Sequence, residues 1–354
     1  MEVSFVRTIL TTVGTSLLTN AKRDLKVEQP DEQQLANYIR HTSAEKACAE
    51  TNSLSRLLQP GDHIVLLHSQ TEESKRCAET LQRHYEGRGY KVYLREVPDL
   101  TYTERRFKMR GLRSLVATLI DLIRSEKKQR REVVVNATGG FKAEIAYATL
   151  VGLLFDVPVY YIHEAFHDII EMPPTPISWD YSLLAEHEDF FEWISADLRQ
   201  TAEVDKWLRG LPSEIRLLLA EEEGFTMLSP AGEAFYEAYR DRLEQAEPVP
   251  ILLSKAAWQT YKSSEPSLRL IFDRELKKLW LRELRISCAD RVRNCDCLVF
   301  PKGHRDVRVF FYEYEDGSIR VCELARHSDQ SYERLIERGV RRKDYQDFQP
   351  WLVR

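Results

Sequence analysis

One stretch decides the fold of the N-terminal half of the chain, Val133-Val134-Val135-Asn136-Ala137-Thr138-Gly139-Gly140-Phe141-Lys142. The three valines predict a buried strand, and the residues that follow have the apolar spacing of a helix over 143–155. A strand that passes through a glycine loop into a helix is typical of strand-helix-strand units around a parallel sheet. The alternation continues on both sides of this unit, with strands predicted at 5–13, 63–67, 91–97, 132–136 and 157–162 and another helix at 111–127. We therefore predict an α/β fold, a Rossmann-like doubly wound parallel sheet, up to about residue 180.

The composition is that of a soluble globular protein. The chain has 354 residues, of which 43% are hydrophobic and 30% charged, and this excludes a disordered or collagen-like chain and suggests two or three domains. No apolar run reaches the ~18 residues that a spanning helix needs, and the N-terminus resembles a strand more than a signal peptide. We expect no membrane partner, a cytoplasmic location and reduced thiols at the six cysteines.

Changes of pattern divide the chain into three predicted domains, 1–180, 181–247 and 248–354. A proline-rich break at 172–176 ends the first domain. The acidic and aromatic run 186–193 then predicts one amphipathic connecting helix, whose charges we expect to face solvent. The first domain is therefore followed by a helical middle segment.

The rest of the middle segment resembles a winged helix. Residues 212–243 predict a helix, a short strand at 224–228, and a second helix that starts at Ser229-Pro230, where serine caps and proline takes the first helical position. Few cations follow residues 220–223, so a spacer or docking role is favoured over DNA binding.

The third domain is predicted to be a small α+β module. Helices at 254–261 and 267–284 precede antiparallel strands at 307–314 and 318–324, which are joined by an Asp316-Gly317 hairpin turn. The last 105 residues, from Pro250, carry 21 Lys and Arg against 16 Asp and Glu, although the whole chain has a net charge of −5. This basic excess suggests an anionic partner, and nucleic acid is a candidate.

Two polar loops follow strand ends in the first domain. In a parallel sheet such loops lie at the carboxyl edge, where backbone amides at helix N-termini carry a partial positive charge. Glycines let the backbone approach a ligand closely, hydroxyl and amide side chains donate hydrogen bonds, and a lysine supplies a full charge. The pattern predicts a phosphate site that is neither a Walker A loop nor a dinucleotide fingerprint. Its expected contact residues are Thr12, Gly14, Thr15, Ser16, Asn136, Thr138, Gly139, Gly140, Phe141 and Lys142.

These loops, together with Tyr160-Tyr161-Ile162-His163-Glu164 running towards Pro173-Pro174, resemble the CARF domain of type III CRISPR ancillary proteins. The resemblance covers roughly the first 180 residues. It implies a homodimer that binds a cyclic oligoadenylate, most often cyclic tetra-adenylate, as an allosteric activator. Some CARF domains also cut their activator slowly, and Thr12, Ser16 and Lys142 are candidates to assist such ring nuclease activity. The ring size and this second activity stay open.

Metal-independent RNA cleavage needs a group that accepts the 2′-hydroxyl proton, one that neutralises the phosphate and one that protonates the leaving oxygen. Arg, Lys, His and Tyr supply all three. The order of such residues over 302–312, the hairpin, 321–327 and Tyr332 resembles the RelE/HigB family of mRNA interferases. By position, the resemblance makes Arg308 and Arg326 phosphate-stabilising residues and Tyr332 the catalytic tyrosine. It makes Lys302, His304 and Arg305 orienting or acid-base residues, with the acid-base assignment left open.

The expected function is therefore activation of mRNA cleavage by cyclic tetra-adenylate, associated with the ribosome, without a metal, in antiviral defence. Two alternatives remain. One is a HEPN-type ribonuclease, whose Arg and His lie on a helix and for which Arg320 and His327 have the spacing. The other is a ligand-responsive transcription regulator that uses the winged-helix-like segment 212–243 to bind DNA.

Overall fold

The computed structural model describes residues 6–101, 110–163, 168–303 and 305–352, in two compact units that interleave along the chain. The first unit comprises Met1–Ile177 and Ile194–Ala238, and the second comprises Ser178–Trp193 and Tyr239–Arg354. Within the described ranges, none of the helices combines the length and apolar character that a membrane-crossing segment requires. The division into three domains at residues 180 and 247 stays a prediction.

The first unit is built on a six-stranded sheet with the strand order β3-β2-β1-β4-β5-β6. The first five strands are parallel, as predicted, and β6 is an antiparallel edge strand that the sequence analysis missed. The strands are β1 (Arg7–Val13), β2 (His63–Ser69), β3 (Lys91–Val97), β4 (Glu132–Asn136), β5 (Val159–Tyr161) and β6 (Ile170–Met172). Phe5, the first residue of the first predicted strand, and Glu164, the last residue of the 160–164 motif, lie outside the described residues.

Helices cover this sheet. They are α1 (Ser16–Leu25), α2 (Glu32–His41), α3 (Ala44–Ala47), α4 (Ala49–Leu57), α5 (Glu72–Glu86), α6 (Leu112–Lys128) and α7 (Lys142–Leu154). The predicted helices at 111–127 and 143–155 correspond to α6 and α7 within one residue at each end. The core contains Ile9, Leu66 and Val134, which are fully or almost fully buried because adjacent parallel strands are covered on their faces.

The run 186–193 differs from its prediction. It is divided at His187 between α8 (Ser182–Glu186) and α9 (Glu188–Ala196). Asp189 and Glu192 are exposed as expected, but only 13% of the Glu188 side chain is exposed, because its carboxylate lies 2.8 Å from the buried Lys278 ammonium. Glu188, which was predicted to face solvent, therefore belongs to a buried ion pair.

The middle segment of the first unit contains a three-stranded antiparallel sheet with the order β7-β9-β8. Its strands are β7 (Arg199–Gln200), β8 (Leu219–Glu222) and β9 (Phe225–Leu228), and α10 (Thr201–Trp207) and a 3₁₀ turn at Ser213–Leu218 precede the β8–β9 hairpin. Then α11 (Pro230–Glu244) begins as predicted, with the Ser229 hydroxyl accepting a hydrogen bond from the Gly232 N–H at 3.0 Å. Whether this segment acts as a winged helix stays a prediction.

The second unit contains a six-stranded sheet with the order β11-β12-β13-β14-β10-β15. Its strands are β10 (Ile251–Leu253), β11 (Asp290–Arg291), β12 (Leu298–Phe300), β13 (Val307–Glu313), β14 (Ile319–Arg326) and β15 (Gln349–Pro350). The predicted hairpin is present: β13 and β14 are antiparallel, and Gly317 has a φ of +80° in the turn. The sequence analysis missed β10, which pairs parallel to β14.

Among the described residues, the helices along this part of the chain are α12 (Lys255–Ser263), α13 (Pro266–Lys278), α14 (Arg282–Ser287) and α15 (Ser331–Arg338). The single helix predicted over 267–284 is broken after Lys278. The break occurs where the backbone N–H groups of Leu279 and Trp280 bond to carbonyls three residues back, and the Arg285 guanidinium donates to the carbonyls of these same two residues. The tighter turn at Leu279 and Trp280 ends the helix, and Arg285 satisfies the carbonyls of this turn.

Candidate functional site

The pairing of β1 with β4 brings the two predicted loops together. Thr11 is opposite Asn136 in this parallel pair, so the chain leaves both strands at the same edge of the sheet. A Cβ atom placed on Gly14 would lie 2.9 Å from the backbone nitrogen of Gly140, which is closer than side chains pack. The contact between the loops therefore depends on glycine at position 14. We call residues 12–16 and 136–142 the two-loop site.

The polar side chains of the first loop hold the loop itself. The Thr12 hydroxyl donates to the Gly139 carbonyl at 2.6 Å and is buried. The Ser16 hydroxyl donates to Glu50 at 3.3 Å and accepts from the Ala49 N–H at 3.1 Å. The Thr15 carbonyl accepts the Thr19 N–H at the start of α1. These groups already have partners within the protein.

The second loop has a buried half and an exposed half. Asn136 is fully buried and donates to the Ser53 hydroxyl at 2.9 Å, while its Oδ1 accepts the Thr138 hydroxyl at 2.8 Å. By contrast, Gly140, Phe141 and Lys142 are exposed at the N-terminus of α7. The part of the two-loop site that faces solvent is therefore the α7 N-terminus, with its partial positive charge and one lysine.

Two buried glutamates, which the sequence analysis missed, lie against the glycines. Glu50 on α4 accepts the Gly14 N–H at 2.8 Å, and its Oε1 occupies the space that a side chain on Gly139 would need. Glu144, in the first turn of α7, fills the space that a side chain on Gly140 would need. Their relative exposures are 1% and 3%. No local signal predicts Glu50 because tertiary packing brings α4 to the loops, whereas Glu144 looks like an ordinary first-turn acidic residue.

The environment of Glu144 alters its protonation. Burial raises the pKa of Glu144 to about 7, and the nearby Glu50 carboxylate adds to the increase, while a hydrogen bond from the Phe141 N–H opposes it. Close to neutral pH, the protonated and ionised forms of this carboxyl are therefore both populated. The two-loop site thus combines a solvent-facing helix N-terminus with a buried group that titrates.

In the second unit, a cleft of about 650 Å³ is lined by two of the predicted catalytic residues, Arg305 and Arg326, the latter at the end of β14. The Arg326 Nε donates to Asp306 at 2.8 Å, and the same carboxylate accepts the N–H and hydroxyl of Ser328. Burial opposes ionisation of Asp306, but these hydrogen bonds outweigh it and lower the pKa of this carboxyl. The cleft has both signs of charge, since Asp189, Glu265 and Asp329 also line it.

Tyr332, at the start of α15, has other predicted residues around it. Its ring lies over Phe310 at 5.9 Å between centroids and beside the His327 ring at 4.3 Å. The Arg308 guanidinium carbon is 5.4 Å from the centre of the same ring. His327 in turn is 2.8 Å from Glu333. The structure therefore brings Arg308 and Tyr332 together.

The remaining predicted cations have protein partners. Arg308 is buried, and it donates to the backbone carbonyls of Gly303, Arg305 and Val307, while burial lowers the pKa of its guanidinium. Arg305 lies 3.1 Å from Asp189 and 3.5 Å from the buried Glu275.

Lys302 lies 3.7 Å from Glu186 and keeps a partly exposed side chain. His304 lies outside the described residues. Arg320 lies on β14, a strand, and His327 follows its end. That pair therefore does not share a helix, as the HEPN alternative requires. Over the described ranges, no group of three His, Cys, Asp or Glu side chains is arranged to hold a metal ion.

Glu50 is expected to hold the two-loop site through its acceptor oxygens. Glu50→Ala leaves the Gly14 N–H and the Ser16 hydroxyl without this acceptor, so we expect the free energy of unfolding to fall by roughly 1–3 kcal/mol. Glu50→Gln keeps one carbonyl oxygen for Gly14 and should lose less. Denaturant unfolding of both variants measures the difference. Equal losses would contradict this role, because Gln keeps both the shape of the side chain and one acceptor oxygen for the Gly14 N–H.

Comparison with known proteins shows that part of the first unit is similar to a known protein family. Residues 45–175 match the family model described as CRISPR-associated protein (Cas_APE2256). Among solved structures, the chain is similar to protein VC1899 from Vibrio cholerae, with 9% identity, a TM-score of 0.26, and coverage of 68% of this chain and 69% of that chain. It is also similar to Can2 from Sulfobacillus thermosulfidooxidans, solved in complex with cyclic tetra-adenylate, with 12% identity, a TM-score of 0.26, and coverage of 89% and 78%. The stretch that contains Glu50, the second loop and α7 is thus similar to a CRISPR-associated protein family.

Proposed function

We propose that this protein is an ancillary effector of type III CRISPR defence whose first unit binds a cyclic oligoadenylate, with cyclic tetra-adenylate as the expected ligand. The observation that carries the proposal is the contact between Gly14 and Gly140 at the carboxyl edge of a parallel sheet, beside the exposed N-terminus of α7. The family similarity over residues 45–175 supports the CRISPR context.

The solvent-facing part of the two-loop site suits one phosphodiester. A phosphodiester carries one negative charge, and the α7 N-terminus and the Lys142 ammonium are the positive groups at this position. Phe141, the half-exposed residue just before α7, suits contact with an adenine face. Because cyclic tetra-adenylate is itself twofold symmetric, we propose that two copies of the chain each bind half of it.

Lys142→Ala should weaken binding of cyclic tetra-adenylate. A charge-assisted hydrogen bond to phosphate contributes about 1.5–3 kcal/mol, so we expect the dissociation constant to rise by roughly ten- to a hundredfold. Lys91→Ala is the matched control, because Lys91 begins β3 and therefore lies at the opposite edge of the sheet. Isothermal titration calorimetry gives the affinity and the ratio of ligand to chain. Equal affinity for the two variants would contradict this placement of the ligand.

We further propose that the second unit is a RelE-like endoribonuclease that cuts mRNA without a metal, at the ribosome, when the activator is bound. Arg326 at the cleft and Tyr332 beside Arg308 support this proposal. Arg326 would neutralise the scissile phosphate, and the Tyr332 hydroxyl would move a proton. Arg308 gives its hydrogen bonds to backbone carbonyls, so we assign it to positioning Tyr332 rather than to contact with phosphate.

RNA cleavage should depend on these two residues. We expect Arg326→Ala and Tyr332→Phe each to reduce the cleavage rate by about a hundredfold or more, because each removes a group that acts on the reacting atoms. Arg334→Ala is the control, since Arg334 is an exposed cation on the same helix as Tyr332. The assay follows a defined mRNA in a purified translation reaction, with and without cyclic tetra-adenylate, beside the same RNA free in buffer.

The outcomes of this assay separate the candidate functions. Cleavage that needs both activator and ribosomes, and that is lost in the two variants, supports the proposal. Cleavage of free RNA that is unaffected by Tyr332→Phe would indicate a different ribonuclease. Ligand binding without any cleavage would favour the transcription regulator, which DNA binding by the chain with a steep salt dependence would then identify.

A further inference from the structure

Two negative side chains are buried under a site that we propose for an anion. Glu50 is well compensated, because one carboxylate oxygen accepts the Gly14 N–H and the other accepts the Ser16 hydroxyl. Glu144 is different. Its Oε1 has no hydrogen-bond partner among the described residues, and the residue is only 3% exposed, so water does not replace that partner easily. A buried ionised oxygen without a partner is costly, so burial shifts this carboxyl towards its protonated form.

The position of Glu144 makes its charge matter to a ligand. Its carboxyl lies against the backbone of the exposed Gly140, in the first turn of α7, and accepts the Phe141 N–H. An anion at the α7 N-terminus therefore comes close to Glu144, and two like charges at short distance repel each other. Protonation of Glu144 removes this repulsion.

We propose that Glu144 is a specificity-determining residue of the two-loop site, which takes up a proton when an anion binds and favours singly charged phosphodiesters over doubly charged phosphate monoesters. This inference rests on the proposed function, because it concerns the same site. Ionised Glu144 repels a monoester about twice as strongly as a diester, because the repulsion is proportional to the ligand charge. The proton and the ligand thus assist each other's binding, as linkage requires.

The charges around Glu144 support this role. The carboxylate of Glu50, on α4, acts on it directly, and Lys142 on its own helix is exposed. The helix packed alongside, α6, carries three cations that have partners elsewhere and the exposed Lys128 at its end, and the adjoining strand β5 carries two tyrosines. These groups are Arg113 with Glu233, Arg124 with Glu237, Lys127 with the Phe155 carbonyl, and Tyr160 and Tyr161. The described surroundings therefore contain no cation paired with the Glu144 carboxylate.

The direction of the pH dependence follows from the protonation state of Glu144 before the ligand binds. Glu144 has a pKa of about 7 there, so it is ionised above neutral pH and protonated below. Affinity for a phosphodiester should therefore fall as the pH rises, by up to about thirtyfold between about pH 6 and about pH 8.5 for one linked proton. The phosphodiesters and adenines of the ligand do not titrate in this range, so the change comes from the protein.

The test measures binding of cyclic tetra-adenylate by calorimetry across this pH range. We expect the wild type to lose affinity as the pH rises, and Glu144→Gln, a neutral side chain of the same shape, to bind with an affinity that hardly changes. Glu132→Gln is the matched control, since Glu132 is exposed at the other end of β4 and should keep the wild-type pH dependence. Titrations of the wild type in buffers with different ionisation enthalpies count the proton uptake directly and need no variant.

A second arm tests charge selectivity. Two linear tetra-adenylates serve as probes, one ending in a 2′,3′-cyclic phosphate and one in a 3′-phosphate, which carries extra charge above about pH 6. At about pH 8.5, where Glu144 is ionised in the free protein, the wild type should prefer the cyclic phosphate end, and Glu144→Gln should reduce that preference by about two- to threefold.

The possible outcomes distinguish the role of Glu144, the charge selectivity and the proposed function. Binding with the same pH dependence in the wild type and Glu144→Gln, or no proton uptake, would overturn the role of Glu144 and leave the proposed function intact. The same charge preference in both proteins would overturn the selectivity. Absence of binding at every pH would contradict the proposed function itself, and this inference with it.

Discussion

The parallel pairing of β1 with β4 is the constraint on which the two-loop site depends. Because Thr11 lies opposite Asn136, strands β1 and β4 end at the same level of the sheet. The loops that follow them must therefore share one small volume. Three glycines allow this. At position 14 a side chain would collide with the other loop, and at positions 139 and 140 it would collide with Glu50 and Glu144. Glycine here serves close packing of backbone and buried carboxyl groups as much as approach to a ligand.

Much of the first unit could be predicted from the sequence because its signals are local. The valines of β4 and the polar glycine loop after them lie within ten residues, and the carboxyl-edge rule then places both loops together. The burial of Thr12 and Asn136 could not be predicted in this way. Their side chains are of the type that contacts ligands, but the structure uses them to join the two loops and to hold Ser53 on α4. Only tertiary packing decides between these uses.

The second unit illustrates the same limit for charged residues. Arg305 and Arg308 are three residues apart in a basic stretch, and composition alone treats them as equivalent cations. Arg305 pairs with Asp189 and Glu275, whereas Arg308 lies buried among backbone carbonyls. Asp189 is more than a hundred residues from Arg305 in the sequence, and Glu275 is about thirty residues away. No spacing rule therefore reveals these two partners. Arg326 is also paired, with Asp306, but it remains partly exposed and reaches the cleft.

The distribution of hydrogen bonds in the two-loop site has a consequence for how it can hold an anion. A typical phosphate loop presents several backbone N–H groups to its ligand. Here Glu50 accepts the Gly14 N–H and the Glu144 carboxyl accepts the Phe141 N–H, so these two donors are committed within the protein. The attraction that remains comes from the α7 N-terminus and Lys142, and it is opposed by whatever negative charge lies beneath. A site balanced in this way is sensitive to a single proton, because removing one buried charge changes the sum more than adding one exposed hydrogen bond would.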